Sequence, residues 1–343
     1  MMAEMAARSA ELAANKPVLN SVYFGGGTPS ILNKEEWESL WLAINSCFII
    51  DPNAEITVEA NPDDLTDEKL RILQKHPTNR LSIGIQSFRD EDLKWMNRAH
   101  TADEALLAVD KARSFGFQHF SIDLIYGIPG MNDEAWIQNI EKALALGINH
   151  LSAYCLTVEK GTALNKFIET GKSAGTDDTQ GANQYRILSE LMKDAGFIHY
   201  EVSNFARPGH EAVHNSGYWD DMYYLGIGPS AHSYNGKTRS WNVSNNHRYM
   251  QGMEANSPEL ETEICDEINR FNEHLLTGMR RKKGIDTASI LDRFNIDLLS
   301  TYRTEITSYL QNKWLIQEGT QLCPTEEGFL WSDRMASEMF IIR

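Results

Sequence analysis

Residues 21–30 read Ser21-Val22-Tyr23-Phe24-Gly25-Gly26-Gly27-Thr28-Pro29-Ser30, a β-branched and aromatic run that breaks into three glycines and a proline. The pattern predicts a strand ending in a turn without Cβ atoms, so that a ligand can lie against backbone N–H and C=O groups while Pro29 fixes the exit. The string matches neither GxxxxGK[ST] nor GxGxxG, so it does not support nucleoside-triphosphate or dinucleotide binding. Taken alone, the string reads less strongly as a merely tight strand-to-helix turn.

Outward from this turn the pattern repeats. A helix is expected near Lys34 to Cys47, a strand in EITVEA from Glu55 and a helix near Thr66 to Gln74. RLSIGIQS from Arg80 leads to helical sequence through Phe115, HFSIDLIYG from His119 to a helix near Asn132 to Leu146, and HLSAYCLT from His150 follows. Strand starts near Val22, Ile56, Leu81, Phe120 and Leu151 recur at intervals of roughly 25 to 40 residues, as βα units with a parallel sheet require. Right-handed crossovers make that sheet an open doubly wound one or a barrel.

Polar residues collect at the carboxyl ends of these strands, where such folds place ligands. They are Gly25 to Thr28, Glu59 to Asn61, Gln86-Ser87 and Tyr154 to Thr157, with Asp123 inside an otherwise apolar strand. Glu59, Gln86, Arg98 and Asp123 offer carboxylates, an amide and a guanidinium, a set suited to a ligand with an ammonium group, a carboxylate and ribose hydroxyls. Each also has a structural reading: Glu59 as a cap of the next turn, Arg98 as a helix-surface cation, Asp123 as the partner of a neighbouring strand.

The stretch GKSAGTDDTQG, residues 171–181, reads as a linker or a loop across the mouth. A helix carrying Tyr185, Leu188, Leu191, Met192 and Ala195 follows, with Gly196 placed to end it. Between His199 and His247 lie five of the ten histidines, crowded with Asn, Tyr, Trp and Gly. Beyond Glu259 the sequence is mainly helical, with one turn-bounded strand near Leu315 to Leu322, and a small winged-helix-like unit is expected. The expected boundaries are 1–175 for an incomplete barrel core, 176–258 for its completion and 259–343 for the C-terminal unit.

The chain has 343 residues and a formal net charge of −16. That acidity disfavours nucleic acid or an anionic membrane surface as the main partner, because both demand clustered Lys and Arg. Arg280-Arg281-Lys282-Lys283 is the one locally basic run and reads as a solvated helix end. No stretch reads as a membrane span. The start, with Glu4 and Glu11, does not read as a transit peptide, and a cytoplasmic protein is expected. Cys47, Cys155, Cys265 and Cys323 are scattered without a CxxC pair, so no disulfide framework or local zinc site is indicated.

YFGGGTPS, VEANPDDLT, RLSIGIQSF with Asn97-Arg98-Ala99-His100, SIDLIYGIPG, LSAYCLTVEKGT and YEVSNFARPGHEAVHNSGYW with YLGIGPSAHS together resemble the radical S-adenosylmethionine proteins related to oxygen-independent coproporphyrinogen III oxidase. Within them, HNSGYW at His214 to Trp219 is similar to the HNxxYW motif of HemW-type heme chaperones. The resemblance implies a partial (βα) TIM-like barrel without its first strand, followed by the winged-helix-like unit. It implies that Gly25, Gly26, Gly27 and Thr28, with Glu59, Gln86, Arg98 and Asp123, hold S-adenosylmethionine. It also implies that His214, Asn215, Tyr218 and Trp219 hold heme, with His214 the candidate iron ligand and His210 and His232 its competitors. From the residues alone, His214, Tyr218 and Trp219 read first as a packed cluster, since a single histidine seldom declares a ligand.

The implied activity is heme binding and delivery to a hemoprotein. The alternatives are oxidative decarboxylation of coproporphyrinogen III and a barrel that serves only as an interaction module. The family pattern includes a CxxxCxxC loop whose thiolates bind a [4Fe-4S] cluster, and this sequence has none. Scattered cysteines on separate elements do not replace it. The sequence is therefore either an N-terminally incomplete version of a longer protein or a natural form that cannot perform the radical chemistry, and the edge at Val22 to Phe24 and the uncapped helix at Met1 favour the first. Dimerisation stays open.

Overall fold

A computed structural model describes residues 1–12 and 16–342. Seven strands form the main sheet: β1 Val18–Phe24, β2 Ile49–Ala60, β3 Arg80–Gln86, β4 His119–Tyr126, β5 His150–Cys155, β6 Ile198–Glu201 and β7 Asn204–Ala206. Their order is β1-β2-β3-β4-β5-β7-β6, parallel from β1 to β5 and antiparallel beyond. The sheet curls into a half-barrel with β1 and β6 at its edges. The sequence places the strand starts slightly late: β1 begins four residues before Val22 and β2 seven before Ile56.

Alternation along the strands decides what faces what. In β2, Ala54, Ile56, Val58 and Ala60 are buried against the helices, while Glu55, Thr57 and Glu59 line the concave side. Every residue of β3 is buried, as expected of a strand at the sheet's centre. The crossover helices Lys34–Cys47, Asp67–Gln74, Ala102–Ser114 and Asp133–Ala145 close the outer face over Trp37 and Trp136, both fully buried. Asn33 with Glu36 and Thr101 with Glu104 form capping boxes that start two of these helices, each cap worth about 1 kcal/mol. The helix after the polar 171–181 stretch begins within it, at Asp178, and Gly196 turns the chain with φ +80°.

The Met2–Arg8 helix has no side-chain cap but is fixed from its middle. The Glu4 carboxylate, 1% exposed, accepts from Arg8 Nη1 (3.0 Å), Asn242 Nδ2 (2.6 Å), Gly228 N (2.9 Å) and the Tyr249 hydroxyl (2.5 Å). These partners surround a second sheet of β8 His232–Tyr234, β9 Thr238–Asn242 and β10 Leu260–Ile264.

A separate apolar cluster from Phe271 to Met339 forms the core of the C-terminal part. Its sheet has the order β11 Ile285–Asp286, β13 Gln321–Pro324, β12 Leu315–Glu318. The single strand expected near Leu315 to Leu322 is thus a hairpin, because Gly319, with φ +61°, reverses the chain in its middle. The basic run does follow a helix end, with Arg280 at the C-cap of Glu267–Met279 and Lys282 and Lys283 exposed, but its arginines are paired. Arg280 grips Asp333 through two nitrogens at 2.6 and 2.8 Å, and Arg281 pairs with Asp220. His199 Nδ1 to Glu326 Oε2 (2.6 Å) and the Arg186–Glu327 fork tie this part to the half-barrel. Among the described residues no helix is long and apolar enough to cross a membrane.

Candidate functional site

Strand register builds the site. Glu59 is level with Ser82, Ser82 with Ser121, and Ser121 with His150, while Asp123 is level with Ser152. In-register residues of parallel strands share a face, so these side chains form polar rows on the concave side. They enclose a cavity of about 60 Å3, whose lining includes Tyr23, Glu59, Arg80, Asp123, Tyr154 and Asn215. Thr57 Oγ1 and Arg80 Nη2, also in its wall, are buried without a protein hydrogen-bond partner. A polar ligand meets that demand.

The three glycines after β1 are not equivalent. A Cβ on Gly25 would lie 2.4 Å from Tyr23 Cε1 and 2.8 Å from Glu59 Cδ, so this glycine lets Tyr23 and Glu59 approach the turn. Gly26 has φ +75°, which favours glycine, and neither Gly26 nor Gly27 would place a Cβ within 4 Å of anything. The open backbone is therefore at Gly26 and Gly27, with half-buried Thr28 closing the turn before Pro29. Glu59 spans the rim: Oε1 accepts from the Tyr23 hydroxyl at 2.6 Å and Oε2 from Gly26 N at 3.2 Å. It caps the glycine turn after β1, not the turn that follows it in the chain as one reading of the sequence expects.

Gln86 and Arg98 converge above Gly84. A Cβ there would sit 2.9 Å from Gln86 Nε2 and 3.5 Å from Arg98 Nη2. Gln86 holds φ +68°, unusual for a side chain of its size and in keeping with a functional position. Burial lowers the Arg98 pKa, against the pull of Asp123 and Asp63. Asp123 lies deeper. Its burial, opposed by the Ser152 hydroxyl and reinforced by Glu59, pushes the carboxyl up to about 7. The rim thus carries a fixed cation, a bridging carboxylate and a carboxyl poised near neutrality. Together they fit a ligand with an ammonium group, a carboxylate and hydroxyls.

The HNSGYW segment forms the helix Val213–Trp219, which packs beside β1. Glu55 accepts from the backbone N–H groups of Val213 (3.1 Å) and His214 (2.9 Å). His214 Nδ1 is 3.0 Å from Ser21 Oγ, and Nε2 is 3.0 Å from the Tyr218 hydroxyl. The imidazole stacks on Tyr23 with centroids 4.7 Å apart and planes at 17°. Burial lowers its pKa, with Glu55 opposing, so the ring is neutral at pH 7. Asn215 reaches the cavity wall, Tyr218 is 47% exposed and Trp219 is half-buried. Tyr23 therefore joins the two halves, bonding to Glu59 at its hydroxyl and to His214 at its ring face. The competitors lie elsewhere: His210 is near Asn149 and His119, and His232 stacks on Trp241.

Tyr23 is the functional residue that the sequence reading misses. Its signal is the alternation of Ser21 and Tyr23 on the face that Thr57 and Glu59 share across the strand pair. Ser82, Ser152, Arg80 and His150 carry the same signal within apolar runs. A Ser152–Ser121–His150–Tyr200 hydrogen-bond chain links three of these strands, with contacts of 3.3, 2.7 and 2.8 Å.

A half-barrel with a glycine turn after β1 and polar strand ends defines the chain as a radical S-adenosylmethionine protein. Residues 1–158 match the model of the Radical SAM superfamily and residues 265–331 that of the HemN C-terminal domain. The solved coproporphyrinogen III oxidase HemN of Escherichia coli superposes with a TM-score of 0.84 over 98% of this chain and 80% of its own, at 20% identity, which shows the fold. The heme chaperone HemW of Mycobacterium tuberculosis H37Rv is 36% identical over 327 residues, 94% of this chain and 82% of its own length. That of Lactococcus lactis is 32% identical over 311 residues, 91% and 82% of the two chains. The chain belongs to the HemW family of heme chaperones.

The family's [4Fe-4S] cluster does not fit the residues present here. Cys47, Cys155, Cys265 and Cys323 lie apart, and among the described residues no three His, Cys, Asp or Glu side chains are grouped to hold a metal. Anaerobic reconstitution with iron and sulfide should leave this polypeptide without a stoichiometric cluster. A thiolate-to-iron charge-transfer band at one cluster per chain would defeat the ligand argument.

Proposed function

We propose that this chain is a cytoplasmic heme chaperone that binds heme at the His214 to Trp219 helix, takes S-adenosylmethionine at the rim and passes heme to a recipient hemoprotein. The observation that carries the reading is the contact line Gly26–Glu59–Tyr23–His214–Tyr218, in which the cofactor turn and the HNSGYW helix share one residue. Gly26, Gly27 and Thr28 take the methionine end of S-adenosylmethionine. Arg98 faces its carboxylate, and Glu59, Gln86 and Asp123 meet its amino and hydroxyl groups. When a cluster and S-adenosylmethionine are both bound, such a pair supplies a 5′-deoxyadenosyl radical.

Heme fits the other half. Val213, Tyr218, Met222 and Tyr223 are large, exposed apolar side chains in one short segment, a surface that calls for an apolar ligand. The test is titration of the full chain with ferric heme, followed by transfer to an apo-hemoprotein. The parent should bind one equivalent and His214→Ala about tenfold more weakly, whereas His247→Ala, on an exposed helical position, should match the parent. If His214→Ala keeps the parent's affinity and spectrum, the segment is a packing cluster and heme binds elsewhere. Decarboxylation of coproporphyrinogen III rests only on the shared fold, and no residue of this site favours it.

A further inference from the structure

Resting on the heme reading, we infer that Tyr218, and not His214, is the side chain that ligates ferric heme iron, with His214 acting as its hydrogen-bond acceptor. His214 is poorly placed to be the ligand. Both ring nitrogens are engaged at 3.0 Å, and the ring lies between Tyr23, stacked at 4.7 Å, and Tyr218, edge-on at 5.0 Å. Reaching iron would cost it a hydrogen bond and the stack. Tyr218 is the outer member of the pair. Its side chain is 47% exposed, and among the described residues its hydroxyl has a single hydrogen-bond partner, His214 Nε2. The oxygen thus keeps a lone pair that no described residue takes, and the apolar Val213 and Met222 of the same segment are also exposed.

The chemistry suits the arrangement. A phenolate is an anionic oxygen donor of the kind that holds ferric heme in catalase-type sites. Forming the bond breaks the Tyr218 O–H: the oxygen lone pair goes to iron and the proton to His214 Nε2. The iron stays ferric, so no reductant enters. The imidazolium that results donates from Nδ1 to Ser21 Oγ and from Nε2 to the ligating oxygen. Glu55, which accepts from the N–H groups of Val213 and His214, faces the imidazolium with a carboxylate whose charge it shares with Arg80, 3.4 Å from Oε2. Release to a recipient reverses the transfer, the proton returning to the phenolate as the iron bond breaks. Ser21 and His214 are thus positioning residues and Tyr218 the ligand.

The experiment uses the full chain with ferric heme, read by absorption and resonance Raman. The parent should show phenolate-to-iron charge transfer and phenolate ring modes. Tyr218→Phe, which keeps the ring and its packing, should lose both and bind at least about tenfold more weakly. His214→Gln, which retains an acceptor, should keep the phenolate modes with a smaller loss than His214→Ala. Tyr224→Phe, which leaves the neighbouring ring in place, should match the parent. A parent spectrum of nitrogen ligation that survives in Tyr218→Phe and vanishes in His214→Ala overturns the assignment while leaving the heme reading intact. A parent that takes up no stoichiometric heme overturns both.

Discussion

Replacing Glu4 by alanine is expected to cost about 3–5 kcal/mol of stability, the loss typical of a broken buried charge pair. Glu4 and Arg8 are 1% and 4% exposed, and the carboxylate accepts from four donors: Arg8, Asn242, Tyr249 and the Gly228 backbone. Truncation strips all four at once, and none is exposed enough for water to replace the bond freely. Glu11, the other partner of Arg8, has a side chain 44% exposed, so Glu11→Ala should cost under about 1 kcal/mol. Urea unfolding of the two variants and the parent decides the matter. Equal midpoints for Glu4→Ala and Glu11→Ala would mean that the Met2–Arg8 helix is not part of the cooperative fold.

The second large effect is of opposite sign. Asp123 titrates at about 7 in the folded chain against 3.8 for the ordinary carboxyl, raised by burial. Below about pH 4 the group is protonated folded and unfolded, and it has no effect. Between 4 and 7 the unfolded chain ionises while the native one does not, so stability falls as pH rises; above 7 the full cost persists. At about 1.36 kcal/mol per pH unit the cost is of order 4 kcal/mol. Asp123→Asn should therefore unfold at higher denaturant than the parent at pH 8 and with it at pH 4. The gain should come with weaker S-adenosylmethionine binding, the exchange expected where a site carries strain for function. A variant no more stable than the parent at pH 8 would show that Ser82 and Ser152 already hold Asp123 ionised.

Glu4 and Asp123 also mark the limits of reading the chain linearly. In the sequence Glu4 is only an acid in an uncapped helix, evidence against a transit peptide. Apart from Arg8 on the same helix, its partners lie more than two hundred residues away, and no local pattern announces them. Asp123 stands out at once as a charge in an apolar run, and the alternation that puts it inside is local. Whether it meets a cation or two hydroxyls depends on which residues the neighbouring strands bring level with it.

The same division runs through the site. By itself the sequence determined the βα order, the glycine turn, the carboxyl-end polar residues and the separate helical C-terminal region, because period-two and helical patterns and turn chemistry act over a few residues. It also determined the family, through motifs in a fixed order. The tertiary structure alone decided that Gly25 admits Tyr23 and Glu59 while Gly26 and Gly27 lie open, and that Arg280 and Arg281 of the basic run clamp acids. It alone set His214 on Tyr23, across 191 residues of chain, with both imidazole nitrogens taken and the Tyr218 oxygen outermost. Such contacts arise where the curl of the sheet brings the HNSGYW helix against its first strand. That closure depends on how all seven strands pack and register together, which no single segment encodes.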